Sequence, residues 1–259
     1  MSGGDAAFLA ALPGWAFALL LVMARIGGAI SLLPGLGEAD LPRMVRVGLA
    51  LAVTALVLPS IAPMVPPVPE ATAQAGFMVA AEAITGLWLG WLARMVVVAL
   101  PIAGQFISHM LGVANVLQPD PELGGQATPI ARMFSLAAPL LVLVSGLYAV
   151  PLAALAGSYQ LIPPGTLLPA ADSTATAVAA VGRAFGLALR IASPFVLVSI
   201  VWQVTTGLLA RLVPRLQVYF IAMPAQIAGG IVLMAIMMRA LLGAWETAAR
   251  SGFNYLPGL

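Results

Sequence analysis

The chain has no cysteine, no lysine and one histidine, and it has few charged residues of either sign. Without cysteine it can form neither disulfides nor thiolate metal or redox centres. Charged residues make up 8% of the 259 positions, whereas a soluble domain carries roughly 25%. That fraction is too small to cover a soluble fold with polar side chains. The net charge of +2 comes with scattered arginines rather than a basic stripe, so we expect no nucleic-acid partner.

Long apolar runs take the place of the missing polar residues. Hydrophobic residues make up 62% of the chain, and each run is long enough for the roughly 20 helical residues that cross a ~30 Å hydrocarbon layer. We therefore predict an all-α polytopic membrane protein with lipid as one partner. The third run is about twice that length, and Pro101 and Gly104 interrupt it, so it is either a kinked helix or a helix followed by a re-entrant piece. The six runs are Ala6–Leu33, Val45–Ala62, Ala75–Leu117, Met133–Ala156, Ala184–Ala210 and Leu216–Ala240.

The arginines between the runs predict an orientation. The connections Pro34–Arg46, Gln118–Arg132 and Arg211–Arg215 contain arginine, whereas residues 63–74 and 157–176 contain no basic residue. Because positively charged loops stay in the cytoplasm, the arginine-containing connections are predicted to be cytoplasmic. Both termini then lie outside.

Small residues and prolines inside the runs predict how the helices pack. Gly86 and Gly90 form one small-xxx-small pair, and Gly182 and Gly186 form another. Such pairs let helix backbones approach closely. Prolines inside apolar runs kink helices, so we predict that several helices are kinked; these prolines are Pro139, Pro151, Pro194 and Pro224.

Polar groups that could perform catalysis are scarce. His109 is the only histidine, and a lone histidine in an apolar run is more often a satisfied or cavity-facing residue than a base or metal ligand. The motifs HExxH and GxSxG are absent. No apolar run holds a pair of acids, which argues against a carboxylate-dyad protease. We expect no enzymatic activity, no cofactor and no metal site.

Glu82 is the one acid well inside an apolar run. Such a residue is a functional candidate by default, as a proton relay or as part of a pathway lining. The alternative, which we favour, is that Glu82 lies near a helix end or pairs with an arginine of a neighbouring helix. For Arg94, Arg183 and Arg190 we likewise favour pairing between helices or subunits over transport chemistry.

The segment Gly112–Gln126 differs from the other connections. It begins apolar, passes through two prolines and ends in a glycine pair, so it cannot continue a helix. Non-helical backbone near membrane depth is tolerated only inside protein or beside a water-filled cavity. The residues alone leave a gate and an ordinary cytoplasmic loop equally open.

Short motifs between the apolar runs resemble those of the FliR family of flagellar biosynthetic proteins, and they occur in the same order along the chain. The resemblance covers almost the whole chain, and each motif is weak alone because it consists of Pro, Gly and Arg in an apolar background. The matching motifs are Arg25-Ile-Gly-Gly28, Leu33-Pro-Gly-Leu-Gly37, Leu41–Leu51, Gly104-Gln-Phe-Ile107 to Gln118–Pro121, Ser158–Gly165, Gly207–Phe220 and Met223–Gly230.

This resemblance implies one export-gate domain over residues 1–259, built of kinked helical hairpins, in the bacterial inner membrane at the flagellar basal body. The chain would be a core structural and gating subunit of the type III export channel for unfolded flagellar substrates, assembled with FliP-like, FliQ-like, FlhB-like and FlhA-like proteins. The injectisome counterpart and, less favoured, a solute transporter remain alternatives. The resemblance also makes part of the segment after the third run a channel plug, with the candidates Gly112, Val113, Asn115, Val116, Leu117, Gln118, Pro119, Asp120, Pro121, Gly124 and Gly125.

Overall fold

A computed structural model describes residues 3–113, 128–213 and 217–259 of the chain. Within these ranges the protein is α-helical and has no strand, which confirms the predicted fold class. A short 3-10 turn, Ala62–Met64, extends the second helix. The helices are α1 (Gly3–Leu32), α2 (Arg43–Ile61), α3 (Thr72–Met110), α4 (Pro129–Val144), α5 (Ala149–Leu161), α6 (Ala170–Leu212) and α7 (Val218–Phe253).

Five helices in the described ranges are long and apolar enough to cross a membrane: α1, α2, α3, α6 and α7. The pair α4 and α5 makes a sixth crossing if it is counted as one span broken by a 73° bend. The predicted number of about six apolar segments therefore holds. The run Met133–Ala156, however, is not one helix.

Glycine, and not proline, breaks that run. Pro139 lies inside α4, and Pro151 lies in the first turn of α5, where a missing N–H is tolerated. The chain instead turns between the two helices at Gly146, whose φ is +71°. A residue with a Cβ is strained at that angle, whereas glycine adopts it readily.

The long helices also differ from the predicted runs. The helix α3 is continuous through Pro101 and Gly104 as far as Met110, so the kinked-helix alternative fits better than a re-entrant piece up to that residue. The helix α6 begins before Ala184, and α7 continues past Ala240. Both extensions contain charged residues, and hydropathy does not detect them although they are helical.

The chain forms two compact units. The first contains residues 1–95, 142–180 and 252–259, and the second contains residues 96–141 and 181–251. Two contact units can belong to one domain, so the single domain over residues 1–259 stays a prediction.

In the first unit the backbones of α1 and α3 approach closely because both carry glycine. A Cβ placed on Gly86 would collide with the backbone of Arg25, and one on Gly90 would collide with the backbone of Ala29. On the facing helix, a Cβ on Gly28 would lie 2.7 Å from the carbonyl oxygen of Ala83. The predicted close approach at the first glycine pair is therefore confirmed.

In the second unit one glycine lies against a neighbouring helix and two others do not. Gly104 of α3 faces Ala131 and the buried Phe134 of α4. In contrast, a Cβ on Gly182 or Gly186 would meet no atom of the described chain within 4 Å. The prediction that this second glycine pair brings helix backbones together is therefore wrong within the described ranges of this chain.

Candidate functional site

A buried ion pair joins α1 to α3 inside the first unit. The Nε of Arg25 donates to one carboxylate oxygen of Glu82 at 2.7 Å, and Nη2 donates to the other at 2.8 Å. Neither side chain has measurable exposure to the surroundings. This bidentate geometry is the strongest that arginine forms with a carboxylate. The favoured interpretation of Glu82, pairing with an arginine of a neighbouring helix, agrees with this geometry.

The remaining polar atoms of the pair bind the segment Ser158–Gly165. Nη2 of Arg25 also donates to the carbonyl of Ile162 at 3.0 Å, and Nη1 donates to the hydroxyl of Ser158 at 3.3 Å. The backbone N–H of Gly165 donates to Glu82 at 2.7 Å. A buried charge is costly unless it is paired and hydrogen-bonded, and here four donated hydrogen bonds satisfy the guanidinium while three are accepted by the carboxylate.

An aromatic ring covers the guanidinium. The Cζ atom of Arg25 lies 4.0 Å from the centroid of the Tyr159 ring, within the range of a cation–π interaction. The Tyr159 hydroxyl reaches the carbonyl of Val22 on α1 at 3.4 Å. Tyr159 therefore ties α5 to α1 through both its ring and its hydroxyl.

The turn after α5 aims a backbone N–H at the carboxylate. The N–H of Thr166 donates to the carbonyl of Pro163, and Gly165 has φ +80°. Proline at the second position and glycine at the third are the residues that such a type II turn requires. The sequence Pro163-Pro-Gly165 therefore explains how this loop can present the Gly165 N–H to Glu82.

We call Arg25, Glu82, Ser158, Tyr159 and the turn Ile162–Gly165 the ion-pair cluster. Of these residues, Glu82 could be recognised from the sequence as a candidate, whereas the rest of the cluster could not be assigned to the same site. Arg25 was visible as a charge in an apolar helix, yet its partner lies 57 residues away. The motif Ser158–Gly165 entered only through the family resemblance.

Arg94 forms a second, weaker pair. Its Nη2 donates to the carboxylate of Glu38 at 3.1 Å, and Nη1 donates to the carbonyl of Leu32 at 3.3 Å. The Arg94 side chain is 32% exposed. This geometry agrees with the expected structural pairing of Arg94, although Glu38 lies in the connection after α1 and not in a helix.

His109 lies in the last turn of α3 on an exposed face, with its Nε2 3.3 Å from the amide nitrogen of Gln105. Among the described residues there is no group of three or more His, Cys, Asp or Glu that could hold a metal ion. Within the described residues, therefore, His109 belongs to no group that could hold a metal ion.

In the second unit, hydrogen bonds from polar side chains hold the chain just before and just after the predicted plug segment. The Met110 carbonyl at the end of α3 accepts hydrogen bonds from Ser199 of α6 at 3.0 Å and from Gln226 of α7 at 2.8 Å. Beyond the segment, the Thr128 hydroxyl and N–H both donate to the side-chain oxygen of Gln105, at 3.0 and 3.3 Å. The residues on either side of the segment are thus fixed to helices.

Of the plug candidates, Gly112 and Val113 are described. Gly112 has φ +73° and ends the helical path of α3, as the sequence predicts for a segment that cannot continue the helix. The other candidates, Asn115, Val116, Leu117, Gln118, Pro119, Asp120, Pro121, Gly124 and Gly125, lie outside the described residues.

Comparison with known proteins identifies the family. The family model described as bacterial export proteins, family 1, matches residues 16–251. The chain belongs to this family. The bacterial export match runs from the middle of α1 through most of α7 and includes the ion-pair cluster, and it confirms the family resemblance stated from the sequence motifs.

Individual members of the export family agree along most of their length. The flagellar biosynthetic protein FliR of Caulobacter vibrioides is 29% identical over 230 residues, which cover 89% of this chain and 92% of that protein. FliR of Bacillus subtilis is 28% identical over 86% of this chain and 87% of that protein. FliR of Escherichia coli is 26% identical over 90% of this chain and 88% of that protein.

Proposed function

We propose that this chain is a non-catalytic core subunit of the flagellar type III export gate in the bacterial inner membrane. The observation that supports this proposal most strongly is the export-family match over residues 16–251, together with FliR relatives that align over about nine-tenths of their length. The relatives named above are flagellar proteins, which favours the flagellar system over an injectisome.

The state of the buried charges supports a structural role. A proton relay or ion pathway needs an ionisable group that can exchange its partner with a substrate or water. Glu82 instead accepts three hydrogen bonds from within the chain and has no exposure. The ion-pair cluster holds α1, α3 and α5 together, and this argues against a solute transporter that uses Glu82.

The uncovered apolar helix faces support assembly with other proteins. In α7 only 11% of the most apolar window is buried, and in α2 only 17% is buried. Such faces need lipid or neighbouring helices to cover them. We infer that FliP-like, FliQ-like, FlhB-like and FlhA-like subunits cover part of this surface, and that unfolded flagellar subunits pass through the channel formed with them.

The segment Gly112–Gln126 is our proposed channel plug. Support comes from its sequence, whose two prolines cannot continue a helix, and from the hydrogen bonds that hold Met110 before the segment and Thr128 after it. A plug must be attached firmly at its ends if its middle is to close a pore.

The assembly role is tested by copurification. The chain is expressed with and without its FliP-like and FliQ-like neighbours, and the yield and dispersity of the purified protein are compared. We expect a defined complex with the neighbours and an unstable chain without them. A monodisperse chain that is stable alone and copurifies with neither neighbour would contradict the role.

The plug is tested by deleting residues 117–124. We expect the complex to assemble and the membrane to become permeable to small ions, because the channel lacks its barrier. Copurification of the neighbours serves as the control for assembly. Unchanged ion permeability with normal motility would show that this segment is an ordinary loop.

A further inference from the structure

A basic pocket lies in the first unit where the chain passes from α1 into α2. Its volume is about 600 Å³, and Arg43, Arg46 and Arg94 form part of its wall. This size is in the range of small-molecule sites. The pocket shares no residue with the ion-pair cluster, and the proposed export role does not account for it.

Two of these arginines are available for a ligand. The guanidinium groups of Arg43 and Arg46 form no hydrogen bond or ion pair with any residue in the described ranges. The Nε atom of Arg46 is buried and lacks an acceptor there. Because a buried donor without an acceptor is costly, this atom indicates a missing partner with an oxygen acceptor.

The local charge favours an anion. Arg94 is already held at 3.1 Å by Glu38, which lies beside the pocket, and Asp40 is the carboxylate among the lining residues. Three arginines against two carboxylates leave an excess of positive charge. The planar guanidinium groups match the geometry of a phosphate, which they can bind through two parallel hydrogen bonds.

The helix that follows the pocket indicates where this anion comes from. The stretch Arg43–Met64 has a mean hydropathy of 2.0 and is long enough to cross a membrane. Met44 is 85% exposed and Leu56 is 79% exposed. If the outer face of α2 lies against acyl chains, its first residues lie at the depth of the lipid headgroups. A phospholipid can then satisfy the pocket and cover the face with one molecule.

We propose that this pocket binds the phosphate of an anionic phospholipid, with Arg43 and Arg46 as its ligands and the acyl chains along α2. Basic pockets near the cytoplasmic ends of membrane helices suit such headgroups, and the arginines of Pro34–Arg46 predict that side for this connection. An acidic segment of another protein would satisfy the arginines but would leave the apolar face of α2 uncovered.

The test measures lipid binding to the full chain, purified from membranes with the proteins that accompany it, by native mass spectrometry. Phosphatidylglycerol is titrated against phosphatidylcholine. We expect phosphatidylglycerol to bind more tightly, and the variant Arg43→Gln/Arg46→Gln to lose about fivefold in affinity for each arginine removed. The control Arg132→Gln removes an arginine from the same predicted side of the membrane and should bind as the unmodified chain does.

A second variant separates the site from a folding defect. Asp40→Asn removes a carboxylate from the pocket wall, so it should tighten phosphatidylglycerol binding by about fivefold, whereas Asp172→Asn should not. The proposal is overturned if both lipids bind equally, if Arg132→Gln weakens binding as much as the double variant, or if Asp40→Asn does not tighten binding. Displacement of the lipid by millimolar inorganic phosphate would also overturn it, because the site would then serve free phosphate.

Discussion

The contact between α1 and α3 and the face of α6 around Gly182 share a sequence signature but differ in what they contact. Gly86 and Gly90 lie against the backbone of α1. Around Gly182 and Gly186, by contrast, the described chain leaves open space. A small-xxx-small pair thus indicates a close helix approach, but it does not indicate which molecule supplies the second helix.

The arginines of the two regions differ in the same way. Arg25 has no exposure, and its partners all belong to the first unit. Arg190 of α6 is exposed beside a groove of about 610 Å³ between α6 and α7, and no partner for its guanidinium lies in the described ranges. We infer that the contact between α1 and α3 completes its packing within the chain, whereas the face of α6 around Gly182 is available to neighbours or lipid.

The largest effect is expected from Glu82→Ala. Removing the carboxylate leaves the Arg25 guanidinium buried without its charge partner, which costs roughly 3–5 kcal/mol. We expect the variant to accumulate poorly in membranes, as measured by immunoblot of the full-length chain. The control is Glu246→Gln, which breaks the exposed pair between Glu246 and Arg250 and should change stability by about 0.5 kcal/mol or less.

A double variant distinguishes a charge effect from lost packing. Arg25→Leu/Glu82→Leu removes both charges, and accumulation should recover in part, because a buried ion pair is often replaceable by apolar residues. Recovery should be incomplete, since the Ile162 carbonyl and the Gly165 N–H lose their partners. If the double variant accumulated no better than Glu82→Ala, the unpaired charge would not be the cause.

An intermediate effect is expected from Gly86→Ala. The added Cβ collides with the backbone of Arg25, and such overpacking costs about 1–3 kcal/mol or more because backbone cannot move aside as a flexible side chain can. The melting temperature of the purified protein should fall. The matched change Gly182→Ala meets open space and should leave that temperature nearly unchanged.

A larger side chain at the second pair tests the other half of the comparison. Gly182→Leu should leave the chain folded but reduce copurification of neighbouring subunits if one of their helices packs there. If copurification is unchanged, this face contacts lipid and not a neighbouring subunit.

The smallest effect is expected from Gln226→Leu. It removes the donor that lies 2.8 Å from the Met110 carbonyl, while Ser199 still donates to that oxygen. The expected loss is about 0.5–1.5 kcal/mol, seen as a lower melting temperature. Thr247→Val on the same helix removes only a local hydrogen bond to Gly243 and is the control. Equal shifts for the two variants would mean that the Met110 anchor has no special weight.

Much of the fold could be predicted from the sequence because burial in an apolar medium requires long apolar runs. The apolar runs locate α1 and α2 closely, and both lie within the family match for most of their length. The helix extensions of α6 and α7 were missed because hydropathy measures apolarity and not helix formation. The turn at Gly146 was missed because one glycine in an apolar run is not distinctive until its φ is known.

The candidate site was predicted less well because it depends on tertiary contacts. The isolated acid Glu82 was recognisable, and so was the expectation that it pairs with an arginine. Which of the eleven arginines binds it is a matter of how helices pack. A backbone donor such as the Gly165 N–H could not be predicted from amino-acid composition, because nearly every residue has one.

The separation of the two charges along the chain has a consequence for synthesis. Glu82 follows Arg25 by 57 residues, and Ile162 follows it by 137. At 5–20 residues per second, Arg25 leaves the ribosome roughly 3–11 s before its carboxylate and roughly 7–27 s before its carbonyl acceptor. Throughout this interval α1 has to remain in the membrane with an unpaired guanidinium, which costs about 2.5–3.5 kcal/mol. The apolar residues around Arg25 therefore have to keep the newly inserted α1 in the membrane on their own. Arg25 forms its stabilising contacts only after the later helices have been synthesised.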